Sequence, residues 1–472
     1  MTRRAPRAAV TVLAYAGALL VALAGLEGWE RTAAWPVADS WYRVDEADGE
    51  VRFRCQDYAP VSFGEAPATG VTRIVVLGGS TAFGYPERPA GTTPIPATRH
   101  GVAGILQASL DAEWPGRFEI VNLGVNGGSS DDTRRLARRA LAWGPTAFVV
   151  YDGHNEYMAA PARFSPSLWR FALYRHVMVL GARVDRAPGW VGPSSIGGPA
   201  NADAVVALFR ANLSALAALA DGIPVVIATQ AGNLAGLDPS WSTSGDHLAG
   251  LDQRPDDEID QRWAASPAVA DLAWQAGRRA LAAGGDALPA LHAAVDHDGM
   301  PFRATSAIND AIRTAAASHG FTLVDAEAAV YAAGPPDGTL FYDNVHPRPD
   351  AAGLLARALL DGLARAGVLP GAPPVTAAPV PPSDEAIRRT AGYWLRWACI
   401  RGHDPGWRLA RARSWAQLLL ARAPGNPDAT AMLALADELG GGTPAVIPKD
   451  PALRTRLAAI HPRIATVLAR AP

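Results

Sequence analysis

The sequence predicts an α/β protein: a three-layer α/β/α sandwich around a five-stranded parallel sheet, followed by a small all-α region. Short apolar runs recur without alternating with polar residues, which is typical of parallel strands buried on both faces. Amphipathic segments separate these runs, as helices on the two faces of such a sheet would. Beyond a proline-rich spacer, the pattern is helical only.

Strands and helices of the sandwich alternate along the chain. We expect strands at about 73–77, 118–123, 146–151, 223–229 and 321–325. We expect amphipathic helices at about 101–114, 131–143, 208–220, 308–320 and 351–367. Ahead of the first strand, the stretch "RVDEADGEVRF" predicts a hairpin around Asp48–Gly49 within a connecting segment, 27–70.

Two long insertions interrupt this alternation. Residues 156–200 contain an apolar helical face, which we interpret as a helix packed on the core; a lid or an acyl-binding wall is the alternative. Residues 230–300 are rich in Gly, Asp and Trp and are predicted to be substrate-facing loops, because long loops in a compact domain are commonly functional.

A proline-rich linker, 370–382, marks a boundary after the α/β domain, 71–369. Residues 383–472 are predicted to be helical, with Ser383 as an N-cap. The segment 407–439 reads as helix, turn, helix and resembles one degenerate tetratricopeptide unit. Such helices predict a possible protein partner.

The bulk composition excludes several classes of protein. At 472 residues the chain is expected to form one large domain plus additional segments. The formal net charge is −2, with no basic stripe, so we expect no nucleic-acid partner. Two cysteines are too few for a disulfide-rich scaffold or a cysteine-based zinc site.

The N-terminus predicts a membrane segment in residues 1–26. Arg3, Arg4 and Arg7 precede an uncharged run, Ala8–Leu26, whose 19 residues would span about 28 Å as a helix. We favour a retained anchor over a cleaved signal peptide because signal cores are usually shorter, although the "ALA" at 22–24 resembles a cleavage site. The arginines predict that the body of the protein is exported.

The two cysteines, Cys55 and Cys399, leave two alternatives open. Outside the cytoplasm they could form a disulfide that ties the early segment to the C-terminal helices. Two separate buried thiols are about as compatible with the sequence.

Polar side chains with complementary chemistry follow several of the predicted strands. Ser80 lies on a Gly-Gly corner after the first strand, and Asp343 precedes His346 by three residues after the last. Ligands bind at the carboxyl ends of parallel strands, so we expect these groups to meet. There His346 would activate the Ser80 hydroxyl as a nucleophile, and Asp343 would orient the imidazole.

The same edge carries candidate donors for an oxyanion. A glycine-rich turn, "NLGVNGG", follows the second strand and "GHNE" follows the third. The backbone N–H groups of Ser80 and Gly127 and the side-chain amide of Asn155 would surround a developing negative charge. Each motif alone has a more ordinary interpretation: "GGST" as a phosphate-binding turn, "NGG" as a simple turn and "DNVH" as two metal ligands.

Taken together, the blocks "LGGSTAFG", "NLGVNG", "GHNE" and "DNVHP" resemble the SGNH/GDSL hydrolase family over roughly residues 71–365. The resemblance implies a flavodoxin-like fold with Ser80, Asp343 and His346 as the catalytic triad. It implies an oxyanion hole of Ser80, Gly127 and Asn155, with Gly127 preferred to Gly124 because the family's glycine stands five positions after the asparagine that closes the second strand. It implies no metal and no organic cofactor.

The chain departs from the family pattern in two places. Gly79 replaces the aspartate of the family's GDS motif, and Glu156 replaces the aspartate that closes the third block. Neither change removes a catalytic group. The blocks "GGST", "GHNE" and "DGMPFRATSAINDAIR" also resemble a bacterial subgroup that has an N-terminal membrane segment and C-terminal tetratricopeptide helices.

These observations predict a serine esterase that acts on an extracytoplasmic ester: an acetylated glycan, a lipid or a small acyl ester. We expect a single-pass protein of the bacterial inner membrane with its catalytic domain on the periplasmic side, or a secreted enzyme if the N-terminal segment is cleaved. One alternative is an O-acyltransferase that modifies a cell-envelope glycan. A second is a scaffold that uses its C-terminal helices for binding without catalysis.

Overall fold

Five parallel strands form the central sheet of the computed structural model, as the sequence predicts. They are β4 (Thr72–Gly78), β5 (Phe118–Asn122), β6 (Ala147–Tyr151), β7 (Val225–Ala228) and β8 (Thr322–Val324), in the order β5-β4-β6-β7-β8. The structure describes residues 21–26, 42–56, 58–87, 101–159, 202–240, 254–375, 381–400, 406–442 and 449–470. The predicted helix in the insertion 156–200 lies outside these residues.

The strands are apolar throughout because both faces of the sheet are covered. In β4, Ile74 and Val76 contact one layer of helices, while Val75 and Leu77 contact the other. All four side chains are almost completely buried. This explains why the runs do not alternate with polar residues, and it confirms the predicted three-layer class.

Helices cover both faces of the sheet. One layer contains α2 (Val102–Glu113) and α11 (Pro349–Arg365), and the other contains α3 (Ser130–Ala140), α5 (Ala202–Leu219) and α9 (Ser306–His319). Short helices α1 (Ser80–Phe83), α4 (Glu156–Ala159) and α10 (Ala326–Tyr331) follow strands β4, β6 and β8.

The connecting segment 27–70 contains more structure than the sequence predicts. The predicted hairpin is present: β1 (Tyr42–Ala47) pairs antiparallel with β2 (Glu50–Cys55) through a turn in which Asp48 and Gly49 both have positive φ. A third strand, β3 (Val61–Gly64), was not predicted and pairs with β2. This small sheet buries Val51, Phe53 and Phe63 against the core beside α3.

In the described parts of the insertion 230–300, which are 230–240 and 254–300, helices predominate over loops, so that expectation is wrong there. It forms α6 (Asp256–Ala265), α7 (Ala270–Ala282) and α8 (Leu288–Asp296), which share a small core of their own. Alanines dominate that core, and Gly277 lets α7 approach Leu291 of α8 closely. Alanine is only weakly apolar, so an alanine-rich helix face gives a weak hydrophobic periodicity. The sequence therefore does not predict these three helices.

The C-terminal region is helical, as predicted. Its helices are α12 (Asp384–Ile400), α13 (Gly406–Arg422), α14 (Pro427–Leu439), α15 (Pro451–Ala458) and α16 (Pro462–Arg470). They surround a separate apolar core that also includes Leu237 and Tyr342 of the α/β region. The helices therefore pack directly on that region.

Among the described residues, α5 alone combines the length and apolar composition that a membrane crossing requires. This helix lies mid-chain and packs Val205, Phe209 and Leu213 into the core beside the sheet. It does not show the predicted N-terminal anchor, most of which falls outside the described residues.

Cys55 and Cys399 are both buried, and no disulfide joins them. The Cys55 sulfur instead accepts a hydrogen bond from the Asn126 N–H at 3.3 Å. Burial raises the pKa of the Cys399 thiol to about 11.

Arg73 joins the antiparallel sheet to the parallel one. Its side chain is 1% exposed, donates to Glu119 Oε2 at 2.7 Å, and also donates to the backbone carbonyls of Gly64, Glu65 and Trp143. The first residue of the central apolar run is therefore a buried cation whose hydrogen bonds connect three segments.

We expect Arg73→Met to lower the free energy of unfolding by about 3 kcal/mol or more, because it leaves buried carbonyls without donors and Glu119 without its cation. Urea denaturation of the variant measures this. Arg52→Met is the matched control: Arg52 pairs with Glu50 at the surface, where such a pair contributes about 0–1 kcal/mol. Equal losses in the two variants would contradict the role given to Arg73.

Candidate active site

The candidate site lies at the carboxyl ends of the central strands. Ser80 begins α1 directly after β4, and Asn155 precedes α4 after β6. Gly127 lies in the turn between β5 and α3, and the loop that carries Asp343 and His346 lies between α10 and α11. Since parallel strands end at one edge of the sheet, these segments, far apart in the chain, meet there.

Ser80, His346 and Asp343 form one row of hydrogen bonds. The Ser80 Oγ lies 2.7 Å from His346 Nε2, and His346 Nδ1 lies 2.6 Å from Asp343 Oδ2. All three residues are buried, at 5%, 7% and 1% exposure. With the Nδ1 proton directed at the carboxylate, Nε2 is left as the acceptor of the Ser80 hydroxyl proton.

The loop around His346 is held by its own backbone. Asp343 Oδ1 accepts hydrogen bonds from the N–H groups of Val345 and His346 at 3.1 and 3.0 Å. The Asn233 side chain donates to the Asp343 carbonyl at 2.7 Å. Asp343 therefore uses one oxygen to shape the loop and the other to orient the imidazole.

Three hydrogen-bond donors lie at or beside the turn that carries Ser80. Within the described residues, neither the Ser80 N–H nor the Gly127 N–H makes a hydrogen bond. The Asn155 amide donates one hydrogen to the Gly128 carbonyl at 2.8 Å, which leaves its second hydrogen for another acceptor. Gly127 has φ +79°, a conformation that glycine adopts without strain.

Gly79, the first departure from the family pattern, has a steric explanation. A Cβ built at this position would lie 3.0 Å from Asn155 Nδ2 and 3.3 Å from the Gly128 carbonyl oxygen. Both distances are tighter than ordinary carbon contacts. The glycine therefore lets the Asn155 amide lie against the backbone that precedes Ser80.

Two buried carboxyl groups lie behind this edge: Asp152, which sequence reasoning missed, and Glu156, for which it predicted no structural role. Asp152 Oδ2 accepts from the Thr133 hydroxyl at 2.5 Å, and its Oδ1 accepts from the Gly153 N–H at 2.9 Å. Glu156 accepts from the Ser130 N–H and from the Ser130 hydroxyl, each at 2.8 Å. The signal that identified Asn155, a polar residue just after a strand, applies equally to Asp152.

Burial raises the pKa values of these carboxyl groups. It raises the pKa of Asp152 to about 7 and that of Glu156 to about 8, and the proximity of Asp152 to Glu156 adds to the shift of the latter. The pKa of the neighbouring Asp132 is also raised, to about 6. Near neutral pH, the group therefore holds protons that the same residues would lose in the unfolded chain.

His154 lies next to Asn155 but is not suited to act as a base. Burial lowers its pKa to about 3, and its Nδ1 accepts a hydrogen bond from the Ala304 N–H at 3.1 Å. The ring therefore stays neutral across the physiological range. Elsewhere in the described ranges, no group of three or more His, Cys, Asp or Glu side chains is arranged to hold a metal ion.

The C-terminal helices contact the loop that carries His346. The sequence, which predicts a proline-rich linker between the two regions, gives no sign of this contact. Trp394 Nε1 of α12 donates to the carbonyl of Tyr342 at 3.2 Å. The Tyr342 hydroxyl donates to Glu87 at 2.5 Å, and the Ser383 N–H donates to the other oxygen of that carboxylate at 3.2 Å.

The same helix reaches the His346 imidazole through one intermediate ring. The Tyr85 and His346 rings lie 4.5 Å apart, centroid to centroid. The Arg389 guanidinium lies 5.8 Å from the Tyr85 ring centre and donates to the Tyr58 hydroxyl at 2.5 Å. Helix α12 is thus part of the wall around the site.

No protein-family model matches the chain, and no curated protein matches it. Among solved structures it is similar to LAE5, an alpha/beta hydrolase enzyme from the metagenome of Lake Arreo, Spain, at 18% identity over 63% of this chain and 96% of that one, with a TM-score of 0.33. It is similar to a putative GDSL-like lipase from Parabacteroides merdae at 14% identity, 63% and 96% coverage and a TM-score of 0.35. An acetylxylan esterase from Geobacillus stearothermophilus gives 16% identity, 62% and 95% coverage and a TM-score of 0.31. At these TM-scores, function has to be argued from the site itself.

The raised pKa values predict a stability that depends on pH. Because the folded state binds more protons than the unfolded chain between about pH 4 and 8, the free energy of unfolding should fall as the pH rises through that window. We expect Glu156→Gln to flatten this slope in urea denaturation between pH 5 and 8.

Glu258→Gln is the control for this measurement. Glu258 is partly exposed at the surface and its pKa is lowered by a hydrogen bond from Arg254, so its contribution is constant above pH 5. The slope of that variant should match the wild type. A Glu156→Gln slope as steep as that of the wild type would contradict the assignment of the bound proton.

Proposed function

We propose that this protein is a serine ester hydrolase of the SGNH/GDSL class that forms an acyl-enzyme on Ser80. One observation carries the proposal: the Ser80 hydroxyl lies 2.7 Å from His346 Nε2, whose other nitrogen is bound to a buried carboxylate. A hydroxyl is a poor nucleophile until an adjacent base takes its proton, and this geometry supplies the base.

In the first half of the reaction, the Ser80 oxygen attacks the ester carbonyl carbon while His346 takes the hydroxyl proton. The carbonyl oxygen gains negative charge as the tetrahedral intermediate forms. His346 then gives the proton to the departing alcohol, and the acyl group remains on Ser80. In the second half, water attacks the acyl-enzyme by the same proton transfers, which releases the acid and restores the serine.

The charge on the intermediate would be stabilised by the N–H groups of Ser80 and Gly127 and by the Asn155 amide. Ser80 and Asn155 are each 5% exposed, and electrostatic stabilisation is stronger in such a buried place than in water. A single donor of this kind typically contributes about 3–4 kcal/mol to lowering the barrier. Asp343 stabilises the imidazolium that forms in each half-reaction.

The proposed location rests on the N-terminal sequence. The basic cluster followed by the uncharged run Ala8–Leu26 favours export, with the catalytic region held on the outer side of a bacterial inner membrane. The natural substrate would then be an ester of the cell envelope or the medium: an acetylated glycan, a lipid or a small acyl ester.

Labelling with a fluorophosphonate tests the nucleophile directly, because the probe reacts with an activated serine. We expect covalent modification at Ser80, located by peptide mass spectrometry. Ser80→Ala should abolish labelling and His346→Ala should slow it strongly. Ser109→Ala, which removes another buried serine, is the matched control and should label like the wild type. Folded protein that never labels would refute the proposal.

The oxyanion donors generate a separate prediction. We expect Asn155→Ala to lower kcat for p-nitrophenyl acetate hydrolysis by about 10²–10³-fold with little change in KM, because the amide acts on the charge that develops in the transition state. Steady-state kinetics measure this, with thermal unfolding as the check on folding. A change in KM alone would show that Asn155 binds substrate without stabilising the intermediate.

A further inference from the structure

The carboxyl group of Glu156 joins the two loops that supply the proposed oxyanion donors. Glu156 follows Asn155 directly, and Ser130 stands three residues after Gly127. Glu156 Oε1 accepts from the Ser130 N–H, and Oε2 accepts from the Ser130 hydroxyl, both at 2.8 Å. The carboxyl group therefore spans from the Asn155 turn to the first residue of α3.

We propose that Glu156 is a positioning residue that sets the separation between the Gly127 N–H and the Asn155 amide. The inference rests on the proposed function, since it assigns Glu156 a part in stabilising the same intermediate. Its carboxyl oxygens are both engaged with Ser130, so the residue acts through the donors and not on the substrate.

Burial makes this link rigid. Glu156 is 4% exposed and Ser130 is 2% exposed, so water does not compete for either hydrogen bond. The Asn212 amide donates to Ser130 Oγ at 2.9 Å, which occupies one lone pair of that oxygen and holds the Ser130 side chain in place. Helix α5 thus fixes the orientation of the link.

A second carboxyl group ties the same two segments slightly further from the donors. Asp152 directly follows strand β6 and accepts a hydrogen bond from the Thr133 hydroxyl of α3 at 2.5 Å. Asn155 itself donates to the Gly128 carbonyl at 2.8 Å. These hydrogen bonds connect the two loops at successive positions. Of the two carboxyl groups, that of Glu156 belongs to the residue next to the proposed donor Asn155.

The length of the side chain is a testable part of the proposal. Shortening glutamate to aspartate withdraws the carboxyl group by about 1.5 Å, one carbon–carbon bond, which takes a 2.8 Å contact beyond hydrogen-bonding distance. Glutamine keeps the length, accepts from the Ser130 N–H and donates to the Ser130 oxygen. The hydrogen-bonded geometry, and not the charge, should therefore decide activity.

The experiment measures kcat and KM for p-nitrophenyl acetate and the rate of fluorophosphonate labelling with the full chain. We expect Glu156→Gln to remain within about threefold of the wild type. Glu156→Asp and Glu156→Ala should lower kcat at least tenfold with KM within about threefold. Ser130→Ala keeps the hydrogen bond from the backbone N–H, so its kcat should fall less than that of Glu156→Ala. The double variant Ser130→Ala/Glu156→Ala should have the same kcat as Glu156→Ala alone.

Controls separate positioning from general damage. Glu327→Ala removes a partly buried glutamate, with a side chain 12% exposed, that pairs with Arg313 away from the site, and it should leave kcat unchanged. Thermal unfolding checks each variant. If Glu156→Ala does not fold, the comparison of Glu156→Asp with Glu156→Gln decides.

Two results would overturn the inference while leaving the proposed function standing: Glu156→Asp and Glu156→Ala at wild-type kcat, or Glu156→Gln as inactive as Glu156→Ala in an active wild-type background. A wild-type chain that neither hydrolyses esters nor labels at Ser80 would overturn both. An active wild type, with Glu156→Gln near the wild-type kcat and Glu156→Asp and Glu156→Ala well below it, supports both the inference and the proposed function.

Discussion

The hydrogen bond between Ser80 and His346 is the interaction on which the site depends, and it joins residues 266 positions apart. A parallel sheet makes such a contact possible because every strand ends at the same edge. Strand β4 is flanked by β5 and β6, so the turn after it lies between the Gly127 turn and the Asn155 turn. The fold thus collects chemistry from four segments without any of them being near another in sequence.

Maintaining these segments requires buried polar groups, which are destabilising unless hydrogen bonds satisfy them. Asp152 and Glu156 each accept two hydrogen bonds, and burial shifts both toward the protonated form. A neutral carboxyl group is a tolerable buried link, whereas two adjacent carboxylates without a cation would repel each other. Geometry behind the proposed oxyanion hole is therefore coupled to protonation.

The layers outside the sandwich support the same edge from the other directions. The small antiparallel sheet contributes Cys55, whose sulfur accepts the Asn126 N–H beside Gly127. Helix α12 contributes Trp394, which binds the carbonyl of Tyr342, and Arg389, which packs on the ring beside His346. Neither the small antiparallel sheet nor helix α12 is separate from the site. Substitutions in either element are therefore expected to act on the site through the positions of the loops that carry Gly127 and His346.

Local sequence patterns were enough to predict the five strands, the hairpin at Asp48–Gly49 and the helical C-terminus, and to place Ser80, Asn155, Asp343 and His346 after strands or in the loop beyond the last one. Those features follow from hydrophobic periodicity and turn chemistry, which are local. Three features became visible only in the folded chain: Arg73 holds two sheets together, alanine-rich segments in 254–296 form helices with a core, and Glu156 meets Ser130. Each of these depends on side chains from distant segments meeting in a buried place, where the energy of a contact is set by its partners and cannot be read from its own stretch of chain.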